Sequence, residues 1–132
     1  MEIYSKENKI FTIDMDIIEK SKLLKFLYKI KKNERIKLNL FDNYLIDNYI
    51  RFYNYYKTNK EEIDNVFNNE FFNDKNYNQM EGLMSLTLYL NADHLYKTTG
   101  YYFAKKIQND NIRDLDIFLD NCKYEKELMI KN

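Results

Sequence analysis

In SLTLYLNADHLYKTTGYYFAKKI, Ser85 to Ile107, two helices follow one another with more apolar surface than a single core can absorb. On the first, Leu83, Met84, Thr87 and Leu90 recur at helical spacing, while Leu86, Leu88 and Tyr89 lie off that stripe. On the second, Leu95, Thr98, Thr99 and Tyr102 make one face, and Tyr101, Phe103 and Ile107 spread around the cylinder. An ordinary surface helix carries one apolar stripe and a polar remainder. Helices that are apolar on two sides in so short a chain are expected to cover a core and meet another protein.

Working outward from that pair, Ile3 to Ser5 and Lys9 to Ile13 are short β-prone segments around a polar turn, Lys6-Glu7-Asn8, which predicts a hairpin. Asp14 stands where an N-cap belongs, with Asp16 in the first turn of a short helix from Met15. Ser21 caps a second helix whose inward residues are read as Leu23, Leu24, Leu27, Tyr28 and Ile30. After a charged loop, Arg35 to Leu40 alternates at Ile36, Leu38 and Leu40, the period of a strand with one buried face. Asp42 or Asn43 can cap the next helix, with Ile46, Tyr49, Ile50, Tyr53 and Tyr56 inward. Ile63, Val66, Phe67 and Phe71 repeat at helical spacing before an Asn-rich loop, Asn73 to Asn78. Asn109 to Asn111 is read as a break, followed by a tail containing Ile112, Leu115, Phe118 and Leu119. Strands first and helices after imply an α+β fold, a small three-stranded sheet packed with helices that supply most of the core.

The 132 residues suit one compact domain with a helical appendage. Lys+Arg and Asp+Glu are equal at 21 each, which argues against a polyanion, and so against nucleic acid, as the default partner. Cys122 is the single cysteine, so no intrachain disulfide can form and a reducing compartment is expected, cytoplasm or nucleus. The opening MEIYSKENKI has no apolar h-region of a secretory signal, and no apolar run approaches the roughly 18–20 residues of a membrane span, so no membrane role is expected. Proline is absent, and glycine occurs only at Gly82 and Gly100, which leaves no Gly-rich phosphate loop.

Chemistry-bearing residues are sparse. Asp93-His94 is the one place where a histidine meets a carboxylate, but it lacks the three or four ligands of a zinc site and has no nucleophile beside it. It is read as a solvent-exposed helix start. Cys122 lies next to Lys123, which favours a thiolate, yet nothing in the sequence sets a base beside it. Lys25, Lys29, Lys31, Lys32, Arg35 and Lys37 form a basic stretch read as a solvated face. No catalytic residue, metal or cofactor is assigned.

Four stretches in order resemble the Skp-type adaptor of Skp–cullin–F-box ubiquitin ligases, a family with the BTB/POZ fold. KIFTIDMDIIEKSKLLKFL (Lys9 to Leu27) looks like its second strand, Asp-led first helix and Ser-containing junction. LIDNYIRFYNYYKTN (Leu45 to Asn59) is similar to its long helix ending in an aromatic pair. IDNVFNNEFF (Ile63 to Phe72) resembles its I-x-x-W-D-x-E-F-L segment, with Phe67 in the tryptophan position. LTLYLNADHLYKTTGYYFAKKI (Leu86 to Ile107) resembles its A-A-N-Y-L-D-I-x-x-L-L-x-x-T helix pair.

The resemblance implies a BTB/POZ-like domain over 1–90 and a C-terminal helical, F-box-binding extension over 91–132. It puts Leu88, Tyr89 and Ala92 on a surface for the cullin N-terminal domain. It puts Gly100, Phe103, Ala104, Ile107, Ile112, Leu115, Phe118 and Leu119 on or near a surface for F-box proteins. The implied function is a non-catalytic adaptor linking a cullin to F-box substrate receptors for ubiquitin-dependent degradation. Exposed Phe and Leu on an unoccupied F-box face also predict a homodimer when the chain is unpartnered. Leu88 stands where the family has Asn, and Asn121-Cys122-Lys123 replaces an Asp-Phe-Thr helix start. The alternatives are an elongin C-like or self-associating BTB/POZ module, and a structural subunit of a kinetochore-type F-box assembly.

Overall fold

A computed structural model of the chain describes residues 1–31, 35–58 and 63–121, with side chains up to residue 111 except that of residue 58. Expectations for Lys32 to Glu34, Asn59 to Glu62 and Cys122 to Asn132 lie outside the described residues. The described residues form β1 (Glu2–Tyr4), β2 (Ile10–Thr12), α1 (Met15–Ile18), α2 (Lys22–Ile30), β3 (Ile36–Lys37), α3 (Asn43–Thr58), α4 (Asn65–Asn73), α5 (Tyr77–Leu90) and α6 (Asp93–Asn121). The fold is α+β. Two compact units divide the chain, Met1–Gly100 and Tyr101–Asn132.

In the first unit the expected hairpin forms around Asn8, whose φ of 64° supplies the left-handed step that an Asn tolerates. β1 pairs antiparallel with β2, Ile3 opposite Phe11, and parallel with β3, Ile3 opposite Ile36, so β1 is the central strand. Ile3 and Phe11 turn inward while their neighbours face outward, as period two requires. The third strand is shorter than its alternation suggests. Leu38 still donates its N–H to the Tyr4 carbonyl (2.8 Å) and is buried, but the Phe41 N–H then closes a turn onto Leu38. That turn leaves Leu40 exposed and gives its inward place to Phe41.

Helix starts follow local hydrogen-bond chemistry. Asp14 Oδ1 accepts from Ile17 N–H, Ser21 Oγ from Leu24 N–H, Asp42 Oδ1 from Leu45 N–H and Asp64 Oδ1 from Phe67 N–H, each at 3.0 or 3.1 Å. Each satisfies a backbone donor that the first turn of a helix leaves without a partner. The Asn-rich loop expected over Asn73 to Asn78 contracts to three residues. Asn76 accepts from Gln79 N–H while the Gln79 side chain accepts from Asn76 N–H, a reciprocal cap that starts α5 early.

α3 is the spine of the core. Ile46, Tyr49, Tyr53 and Tyr56 are buried as expected, Ile50 only half so, and Phe52 is fully buried among them. The Phe52 ring lies 4.8–5.5 Å from those of Tyr53, Tyr56 and Phe71, the offset and edge-on distances that aromatic quadrupoles favour. Phe67 stacks flat on Tyr55, at 3.7 Å and 3°. Ile63 and Val66, although at helical spacing with Phe71, are exposed. On α2 only Leu24 is fully buried, and Ile30 is exposed rather than inward. The end of α3 is tied to the start of α1 by Lys57 Nζ on Asp14 Oδ2 at 2.6 Å.

In the second unit, α6 runs without interruption through Asn109 to Asn111, where a break was expected. Asn costs a helix only a few tenths of a kcal/mol relative to Leu or Lys, far less than Pro. Lys106 and Asp110 form an i,i+4 pair at 3.8 Å over the same turn.

Candidate protein-interaction surface

Of the residues singled out on the first helix of the pair, α5, the exposed apolar ones lie at its C-terminal end, and on α6 Tyr101 is exposed as well. Met80, Leu83, Leu86, Thr87 and Leu90 of α5 face the core. Leu86 therefore belongs to the buried side, and the surplus on α5 narrows to Leu88 and Tyr89. Leu88 is 65% exposed and Tyr89 54%.

Tertiary contacts hold this end in place. Asn91 takes φ 53°, ψ 54°, the left-handed conformation that closes a helix, and its N–H returns to the Leu88 carbonyl at 3.2 Å. Ala92 N–H donates to the Thr87 carbonyl at 2.9 Å. The start of α2 then clamps the turn: Ser21 Oγ donates to the Leu90 carbonyl, and Lys22 N–H donates to the Asn91 carbonyl at 3.2 Å. Behind Tyr89 lies Phe41, ring centroids 5.9 Å apart and tilted by 50°. Leu88 and Tyr89 thus stand on a rigid corner, with one face of Tyr89 backed by an aromatic ring. Ala92 does not share their surface. It is fully buried, because the reversal at Asn91 carries the chain back into the core.

The residues assigned to the second surface are placed unevenly. Gly100 is half-exposed, with Met84 Cε 3.8 Å from where a Cβ would stand. In the second unit Phe103 and Ile107 are half-exposed and Ala104 is exposed. Ile112, Leu115, Phe118 and Leu119 lie on α6, and their side chains are outside the described residues.

His94 is not the solvent-exposed helix start that the sequence suggests. Its ring lies 4.6 Å from Tyr56, 5.0 Å from Phe52 and 6.3 Å from Tyr53. The first turn of α6 packs on the aromatic face of α3, and Leu95 N–H donates to the Tyr53 hydroxyl at 3.1 Å. Among the described residues no group of three or more His, Cys, Asp or Glu could hold a metal ion, and no described helix is long and apolar enough to cross a membrane.

The largest displacements of protonation fall on interior groups. Burial raises the Tyr49 phenol well above its usual range and pushes Tyr53 up to about 12, the latter opposed by the Leu95 N–H. Lys75, just after α4, was missed in the sequence because it sits in a polar, Asn-rich segment. Its ammonium is buried, donates to the Phe71 carbonyl at 2.6 Å, and lies 3.8 Å from the Phe71 ring centroid. Burial first, then the charge of Arg51, draws its pKa down to about 8 against the pull of Asp74. An aromatic face and a carbonyl are the partners that let a cation stay inside. All three groups are buried, so none of them belongs to the exposed surface around Leu88 and Tyr89. No protein-family model matches the chain, and no curated protein is similar enough to count as a match.

Proposed function

We propose that the chain is a non-catalytic adaptor of the Skp type with a BTB/POZ fold. In this reading it links the N-terminal domain of a cullin to F-box substrate receptors, for ubiquitin-dependent degradation in the cytoplasm and nucleus. The observation that carries the reading is the exposed Leu88–Tyr89 pair on the clamped corner of α5, at positions that the resemblance assigns to the cullin. A rigid aromatic anchor costs little side-chain entropy to immobilise, which is why such residues dominate protein interfaces. The element order, a hairpin, two short helices, a third strand and then helices, is compatible with the BTB/POZ fold. The run of α6 to Asn121 supports the Skp type over the elongin C type, which ends after the preceding helix. As an adaptor the chain would act by position, raising the effective concentration of substrate at a ubiquitin-charged enzyme.

Affinity purification of the chain from cells, followed by mass spectrometry, tests this. Recovery of a cullin together with F-box proteins is expected. Tyr89→Ala should lose the cullin and keep the F-box proteins. Undiminished cullin capture by that variant, or recovery of neither class by the unaltered chain, would refute the assignment.

A further inference from the structure

Charge is unevenly distributed along a chain that is neutral overall. Between Lys20 and Lys37 stand eight Lys or Arg and one carboxylate, Glu34. Between Glu61 and Asp74 stand five carboxylates and no Lys or Arg. Each segment also carries apolar side chains that its own protomer leaves uncovered. On α2, Phe26 and Ile30 are each more than half exposed, one helical turn apart, with the exposed Lys25 and Lys29 beside them. At α4, Val66 and, just before the Asp64 cap, Ile63 are likewise more than half exposed, and the exposed Glu70 lies one helical turn on from Val66.

We propose that these surfaces are the two halves of one self-association contact. The Phe26–Ile30 row of one copy, flanked by Lys25 and Lys29, docks on the patch that Ile63, Val66 and Glu70 make at the start of α4 of a second copy. The two surfaces match in kind, a pair of apolar side chains each, and are opposite in charge. Complementary charge selects the pairing: α2 on α2 or α4 on α4 would set like charges together, so only α2 on α4 is favourable. A nucleic acid would satisfy the lysines but leave Phe26 and Ile30 in water, whereas the α4 patch covers both. The contact joins different surfaces, so each copy keeps one half free and growth continues to a ring or an open chain. Two large apolar side chains per half fall well short of the roughly 1,600 Å² buried in a standard stable interface, so the association is weak and concentration-dependent. Exposed charges at its rim make it salt-sensitive. This contact is independent of the adaptor reading.

Sedimentation velocity of the full chain, from micromolar to near-millimolar concentration, tests the proposal. At low salt the average mass should rise with concentration, and association should weaken about tenfold or more at high salt. The double variants K25E/K29E and E70K/N73K change exposed residues and should fold with unaltered circular dichroism. Each alone should stay monomeric, while an equimolar mixture of the two should associate again, since each then offers the half the other has lost. A wild-type chain monomeric at every concentration, association that survives K25E/K29E, or a mixture that stays monomeric would each overturn the proposal. So would association abolished by Phe103→Asp alone, which would assign the contact to the second unit.

Discussion

Replacing Lys75 by Met removes one buried charge and keeps most of its aliphatic volume, and the effect on stability should depend on pH in a calculable way. The Lys75 pKa is about 8 in the folded protein against an unperturbed 10.5. Between those values the unfolded chain binds more protons than the folded one, so wild-type stability rises with pH across the window. Below pH 8 the full cost of burying the ammonium is present. Linkage puts that cost at about 3 kcal/mol at pH 7, falling to about 1 kcal/mol at pH 10. That figure is a net one, already including the Phe71 ring under the ammonium and the bond to the Phe71 carbonyl. Lys75→Met removes it, so the variant should be the more stable of the two at pH 7. The telling quantity is the change with pH: from pH 7 to pH 10, wild type should gain on the variant by about 2 kcal/mol. Urea unfolding of both proteins at several pH values measures it, and the titrating tyrosines common to both cancel in the difference. A difference that stays constant from pH 7 to pH 10 would refute the depressed pKa and the burial that explains it.

Four further substitutions have outcomes that follow from local contacts. Ser21→Ala removes both the cap on Leu24 N–H and the clamp on the Leu90 carbonyl, and should cost about 1–3 kcal/mol in urea unfolding. Gly100→Ala should stabilise by roughly 0.5–1 kcal/mol, because its Cβ meets nothing nearer than Met84 Cε at 3.8 Å in a helix that prefers Ala. Gly82→Ala should gain none of this, since its Cβ would stand 2.8 Å from both Leu45 methyls; thermal unfolding of the pair checks the contrast. Tyr89→Ala should change unfolding stability by less than about 1 kcal/mol, and on the proposed adaptor role it should weaken binding to a cullin N-terminal domain by about 2–4 kcal/mol, measured by calorimetry.

Residues whose role depends on near neighbours could be read in advance. Asp14, Ser21 and Asp42 were recognisable as caps because a cap needs only its own side chain and the next three residues. Asn76 carried the same signal, with Gln79 three positions on, but it was obscured by the asparagines around it. The inward row of α3 was legible from spacing, and Phe52 was missed because a helix at the centre of a core is covered on more than one side. Periodicity over-read both ends of the chain's patterns. Leu40 and Ile30 fit a buried period but stand outside, because a turn and a helix end intervene.

At the site the division is similar. That Leu88 and Tyr89 lie off the main stripe of α5 is a matter of angle around a helix, and angle follows from position in the chain. That Ala92 and His94, only a few residues on, are packed away depends on the left-handed turn at Asn91 and on which face of α3 receives the first turn of α6. The same holds for Lys75, polar in a polar segment yet seated on Phe71. The chain's own order of residues settles hydrogen bonding within a few positions and the apolar side of each helix, because these interactions are short in range along the backbone. Which apolar side chains remain uncovered, and which polar ones are enclosed, is decided only when distant segments meet and compete for the same interior space.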